Sequence, residues 1–155
     1  MTRKKEPSDE IREWDITAEF RVRFNETDPL GIVWHGHYIA YFEEGREAFG
    51  RAHGISYLDI NAHGYTTPIV KSVCEHRAPL TFGNLAKITT TFVHTAAAKM
   101  IFRYKIFTPD GKLACFGETT QVFVDAKGDL ALYKPDFYEK WLRKMTEKHN
   151  SLEKK

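Results

Sequence analysis

A chain of 155 residues suits one domain with enough length to bury a core. Its content of 42% hydrophobic and 14% aromatic residues supports a packed globule and excludes a disordered chain. The formal net charge of +2, with Lys and Arg interspersed among acids, does not call for nucleic acid, and no apolar run nears the roughly 20 residues of a membrane span, so no membrane insertion is expected.

Residues 1–14 are charged and aperiodic and read as a flexible arm. Their basic residues are not followed by an apolar stretch, so no secretory leader is expected. Residues 15–148 read as a single domain and 149–155 as a charged tail. From Thr17 to Phe24 the chain alternates: Ala18, Phe20, Val22 and Phe24 point one way and Glu19, Arg21 and Arg23 the other, a half-buried strand.

Turn formers follow at Asp28, Pro29 and Gly31, and Pro29 biases Asp28 toward extended backbone. A helix is expected from near His35, with Tyr38, Phe42, Gly45, Phe49 and Ala52 on one face and His53-Gly54 as its stop. Gly45 in mid-helix costs ~1 kcal/mol against Ala, which implies close packing against a neighbour, with a sheet as the natural candidate.

Ser56 to Asn61 reads as one short helical turn. Four strands then follow: Tyr65 to Ala78, Ala86 to Thr95, Met100 to Thr108 and Leu113 to Asp125. Pro109-Asp110-Gly111-Lys112 is a hairpin turn between the last two. A final helix starts near Pro135, with Phe137, Trp141 and Met145 as its apolar stripe. A single long helix between the first strand and a β-meander implies an α+β architecture, one antiparallel sheet wrapped around that helix.

The stretch from Asn25 to Arg46, NETDPLGIVWHGHYIAYFEEGR, carries the chemistry. It sets a carboxylate, Asp28, ahead of a helix start at His35-Gly36, where free N–H groups and a positive end dipole await an oxyanion. Asp28 serves there as general base toward water or as nucleophile. His35 orients the carbonyl or the water, or aids the leaving group. An Asp before Pro-Leu-Gly also reads simply as a turn residue, and a His at a helix start as a cap. His35 and His37 form an H-x-H pair without a third ligand, so no metal site is expected. Cys74 and Cys115 read as free buried thiols in a reducing, cytoplasmic setting.

This element order and the motif TDPLGIVWHGHYIAYFEEGR resemble the 4-hydroxybenzoyl-CoA thioesterase-like branch of the hotdog-fold acyl-CoA thioesterases. Asp28, Val33-Trp34-His35, Tyr38 and Phe42-Glu43 occupy the family's motif places, with Arg46 slightly displaced. Arg77 to Phe92, RAPLTFGNLAKITTTF, is similar to a further segment that joins two strands. The resemblance implies a hotdog fold and hydrolysis of an acyl-CoA or related acyl-pantetheine thioester. It implies Asp28 as the essential carboxylate, Val33, Trp34 and Gly36 lining the substrate site, and Glu43 in a structural hydrogen bond or ion pair with an Arg.

No cofactor is implied beyond the coenzyme A of the substrate itself. A homodimer or homotetramer is implied, with sheets paired edge to edge and sites formed between subunits. Lys71, Arg77, Lys99 and Arg103 are candidates for the coenzyme A phosphates. Trp34 stands where the family carries Tyr, and His37 where it carries Asn, so the pocket rim and a loop-holding hydrogen bond are expected to differ. Two other readings stay open: a hotdog module that binds acyl-CoA without hydrolysis, and a hotdog dehydratase or hydratase.

Overall fold

The structure is a computed structural model and describes residues 9–153. Among the described residues seven strands and three α-helices follow one another as β1 (Glu10–Arg21), α1 (His37–His53), α2 (Tyr57–Ala62), β2 (Tyr65–Thr66), β3 (Ile69–His76), β4 (Leu85–Val93), β5 (Lys99–Phe107), β6 (Leu113–Val122), β7 (Val124–Asp125) and α3 (Asp136–Glu153). Five strands make one antiparallel sheet in the order β1-β4-β5-β6-β3, and β2 and β7 pair as a separate ribbon. The α+β expectation holds, with α1 lying across one face of the sheet.

Register decides which side chains meet that helix. Ala86, Ile88, Thr90 and Phe92 of β4 and Met100, Phe102, Tyr104 and Ile106 of β5 are all buried, and each pairs across the ladder with inward-facing neighbours. The helix answers with Tyr38, Tyr41, Phe42, Gly45, Phe49 and Gly50. Phe42 stacks on Tyr104 at 4.5 Å, and Phe49 meets Phe102 edge-on at 5.1 Å. Fully burying one such ring stabilises by about 1.5–3 kcal/mol. Gly45 marks the close approach expected of it: a Cβ there would collide with Thr90 Oγ1 and Ile88. Ala52, expected on the same face, is exposed.

Several boundaries differ from expectation. The first strand begins at Glu10, so residues 10–14 of the expected arm belong to the sheet, while residues 1–8 lie outside the described residues. A register shift between Ile11 and Ile16 breaks the two-residue alternation there, which hides the strand from a periodicity reading. Phe24 leaves the strand for a single 3-10 turn, Phe24–Glu26, and stands 76% exposed against Phe82.

The expected strand from Tyr65 to Ala78 is two strands in two sheets, interrupted at Thr67-Pro68, and the last strand divides likewise into β6 and β7. In α3 the fully buried ring is Tyr138, not Phe137, which stacks on His63 at 4.5 Å on the half-exposed flank. The helix runs to Glu153, so most of the expected tail is helical and residues 154 and 155 alone lie outside the described residues. Trp141 Nε1 donates to the His53 carbonyl at 2.7 Å, which clamps α3 to the far end of α1.

Candidate active site

The loop between β1 and α1 is built around Asp28. Its backbone N–H donates to the Ile32 carbonyl at 2.8 Å, and its own carbonyl accepts from Gly31 N at 2.9 Å. Gly31 takes a φ of 78°, which a side chain would resist. The carboxylate enters the same turn, since Oδ1 accepts from Leu30 N at 2.8 Å. Oδ2 has no partner among the described residues. Asp28 therefore makes the turn with one oxygen, and the other stays open on a half-buried side chain.

The loop is tied down on both sides. Val33, buried and paired to Thr27, donates to the Leu80 carbonyl at 2.9 Å, and Ile32 bridges to Thr81. Trp34 N donates to the Glu26 carbonyl at 2.9 Å. Glu26 is the residue that sequence reasoning missed. Its Oε1 accepts from Arg23 N at 2.7 Å and from the Tyr41 hydroxyl at 3.1 Å, while Oε2 lies 3.6 Å from His37 Nε2. Burial first and the Glu26 carboxylate second push the Tyr41 phenol far above its usual range, which keeps it a donor. Spacing offered one faint signal, Glu26 three residues after Arg23 at the start of the 3-10 turn. His37 thus supports the loop through Glu26 in place of the hydrogen bond expected to be lost.

The helix proper begins at His37, two residues later than expected, because Trp34 to Gly36 first form a turn that returns His37 N to the Trp34 carbonyl at 2.9 Å. Gly36 is the N-cap and offers no capping side chain. The backbone N–H groups of His35 and Gly36 have no acceptor among the described residues. The Trp34 indole lies flat over Gly36, where any Cβ would collide with the ring, and half of the indole stays exposed as a rim. The His35 ring is exposed, sits 5.1 Å from the Trp34 ring and has no hydrogen bond to Asp28 among the described residues.

Below the first turn, Tyr38 is buried with its ring 4.7 Å from that of His76. Glu43 pairs with Arg46 at 3.7 Å, and Arg46 donates to the Tyr104 hydroxyl at 3.1 Å, the structural ion pair expected for Glu43. Register places Lys71, Lys99 and Arg103 on the sheet face opposite α1, with Arg103 held by Glu118 at 2.9 Å and Glu10 at 3.1 Å. Arg77 pairs with Glu75 at 3.2 Å and covers the Phe116 ring. Arg103 and Arg77 are thus engaged within the chain.

A cavity of about 730 Å³ lies further along α1, walled by apolar residues such as Phe49, Met100 and Phe102 and edged by the charged Glu43, Arg46, Glu47 and Arg51, with Ile69 of β3 at its side. It does not touch the helix start. From His37 to Arg46 the helix advances by about 14 Å.

An antiparallel sheet laid across one long helix is the architecture of the hotdog-fold thioesterases. The thioesterase-like superfamily matches residues 22–142, and the chain belongs to that family. YneP of Bacillus subtilis, named as a candidate acyl-CoA thioesterase, is 30% identical over 122 residues, covering 79% of this chain and 86% of its own. The acyl-CoA thioester hydrolase YbgC of Escherichia coli is 27% identical over 105 residues, covering 68% and 78%. Among solved structures, a DHNA-CoA thioesterase from Staphylococcus aureus superposes with a TM-score of 0.77 at 24% identity, covering 88% of this chain and 94% of its own. That likeness speaks for the fold. The chain is a thioesterase.

Proposed function

We propose that this thioesterase hydrolyses an acyl-CoA through Asp28, with the His35 and Gly36 N–H groups holding the thioester oxygen. One observation carries the reading: the open Oδ2 of a carboxylate whose Oδ1 is fixed by Leu30 N, in the loop that leads into two unpaired N–H groups at a helix start. Charge developing on the carbonyl oxygen meets donors already in place, and one such donor is worth about 3 kcal/mol in the transition state. The acyl-CoA class comes from the names of the two relatives. Val33 sets the floor of the loop and Trp34 its rim.

Asp28 attacks the carbonyl carbon itself or takes the proton of an attacking water. Direct attack expels the thiolate and leaves a mixed anhydride, and in a single turnover in ¹⁸O-water label enters Asp28 when water opens that anhydride at the Asp28 carbonyl, whereas a general base takes up none. The main test is Asp28→Asn: thiol release from an acyl-CoA panel is expected to fall by roughly 10²–10⁴-fold with the melting temperature retained. His35→Ala, which keeps the backbone N–H, is expected to stay within about tenfold of wild type. Wild-type turnover in Asp28→Asn overturns the reading.

The assembly belongs to the same proposal. β3 is an edge strand with Val70 58% and Val73 39% exposed, an edge open to a second copy. An antiparallel two-fold pairing there would set the Ile69 end of one β3 against the His76 end of the other. Ile69 lines the cavity, and His76 packs on Tyr38 at the helix start. Pairing would thus join the cavity of one copy to the reactive loop of the next, giving the acyl group a place to lie. Light scattering on the purified protein is expected to return two or four times the chain mass. Among the described residues no helix is long and apolar enough to cross a membrane, and we place the enzyme in the cytoplasm, where free thiols persist.

A further inference from the structure

Cys74 and Cys115 are 41 positions apart, and the sheet brings them together. In the antiparallel pairing of β3 with β6, Cys74 stands opposite Gly117 and His76 opposite Cys115, so the two thiols are diagonal neighbours on the inner face. Their Sγ atoms are 3.4 Å apart, and Cys74 Sγ is 3.6 Å from His76 Nε2. Both are free. A disulfide needs about 2.05 Å between sulfurs, so the atoms would close by roughly 1.4 Å, and because diagonal strand neighbours stand about 7–8 Å apart, closing the bond also draws β3 toward β6.

We propose that Cys74 and Cys115 are a redox pair that a small peroxide converts into a reversible disulfide, tying the edge strand to its neighbour. Cys74 is half-buried on the edge strand and Cys115 is fully buried, so Cys74 reacts first and Cys115 resolves. In the first step Cys74 Sγ, its proton passing to His76 Nε2, attacks one peroxide oxygen. The O–O bond breaks, giving a sulfenic acid and one water. Cys115 Sγ then attacks Cys74 Sγ, the S–O bond breaks, and the departing hydroxide takes the Cys115 proton as a second water. Two electrons pass from the sulfurs to the peroxide, and the S–S bond forms.

Burial pushes both thiols above their usual range, so the reaction is slow at neutral pH and quickens as the pH rises. The link would lie beneath the first turn of α1, since Tyr38 rests on the His76 ring that neighbours Cys74. It does not depend on the role given to Asp28.

The test treats the full-length protein with hydrogen peroxide, blocks remaining thiols with iodoacetamide after denaturation, and weighs the product. The expected result is loss of two hydrogens and of both alkylation sites, with both sites restored by dithiothreitol. Peptide mapping should show Cys74 joined to Cys115, and Cys115→Ser should leave a Cys74 sulfenic acid that dimedone traps. Two results overturn the proposal: Cys74 gaining two oxygens as a sulfinic acid while Cys115 remains alkylated, or both thiols alkylated after peroxide. The wild-type masses decide the question even where the serine variant does not fold.

Discussion

The two ends of α1 are made from one continuous helix and do opposite things. At its C-terminal end the backbone is closed off: Gly54 turns left-handed and donates to the Gly50 carbonyl, Trp141 donates to the His53 carbonyl, and Phe49 sits among Phe92, Phe102 and Trp141. At its N-terminal end the cap is a glycine, two N–H groups have no acceptor among the described residues, and Trp34 and His35 face solvent. The closed end anchors the helix so that the open end can hold unsatisfied donors in position. The closed end and the proposed site are separated by about 24 Å along one rod.

Mutations at either end should fall into two classes. Asp28→Asn should remove turnover and leave the melting temperature nearly intact. Phe92→Ala, a buried ring that packs on Phe49 and Trp141 without lining the cavity, should do the reverse, costing about 3–5 kcal/mol in chemical denaturation while the folded fraction keeps its kcat. Equal losses of kcat and stability in both variants would break the separation. Glu26→Gln lies between them, because Glu26 joins the loop to the helix through Tyr41 and His37. It should cost about 1 kcal/mol of stability and also lower kcat/KM several-fold as the Asp28 loop loosens. A change in stability alone would assign Glu26 to the closed end.

The smallest effect is a pH dependence at the closed end. His53 Nε2 donates to the Trp14 carbonyl at 2.7 Å, and its Nδ1 is buried without a partner among the described residues. Burial first, with Lys148 and His149 adding repulsion, holds its imidazolium pKa below the ordinary value. The unfolded chain therefore binds this proton more readily, so the contribution is complete above about pH 6.5 and is lost as the pH falls below it. The slope cannot exceed about 1.4 kcal/mol per pH unit. Denaturant midpoints of the wild type and of His53→Gln between pH 5 and 8 should diverge most at the high end, and parallel curves would remove His53 from the account.

The candidate site was readable from local sequence to an unusual degree. Asp28, Pro29 and Gly31 act within a five-residue turn and the helix start follows a few residues later, so spacing was enough to place the turn and the helix in order along the chain. The loose arm was misjudged because a bulge interrupts the alternation of β1, and the single long strand after Gly64 because Pro68 lies where the chain passes from one sheet to the other. His35, expected to orient the carbonyl or the water or to aid the leaving group, has its ring in solvent beside Trp34.

Strand alternation, helical spacing and turn chemistry arise from interactions within a few residues, and for that reason the amino-acid order was enough to establish the α+β class, the long helix and the Asp28 loop. Contacts across the sheet depend on register, which no local pattern specifies. Only the folded chain could bring Glu26 under Tyr41 and His37, or set Cys74 within 3.4 Å of Cys115. The same register leaves Arg103 locked between two carboxylates on the sheet face away from α1.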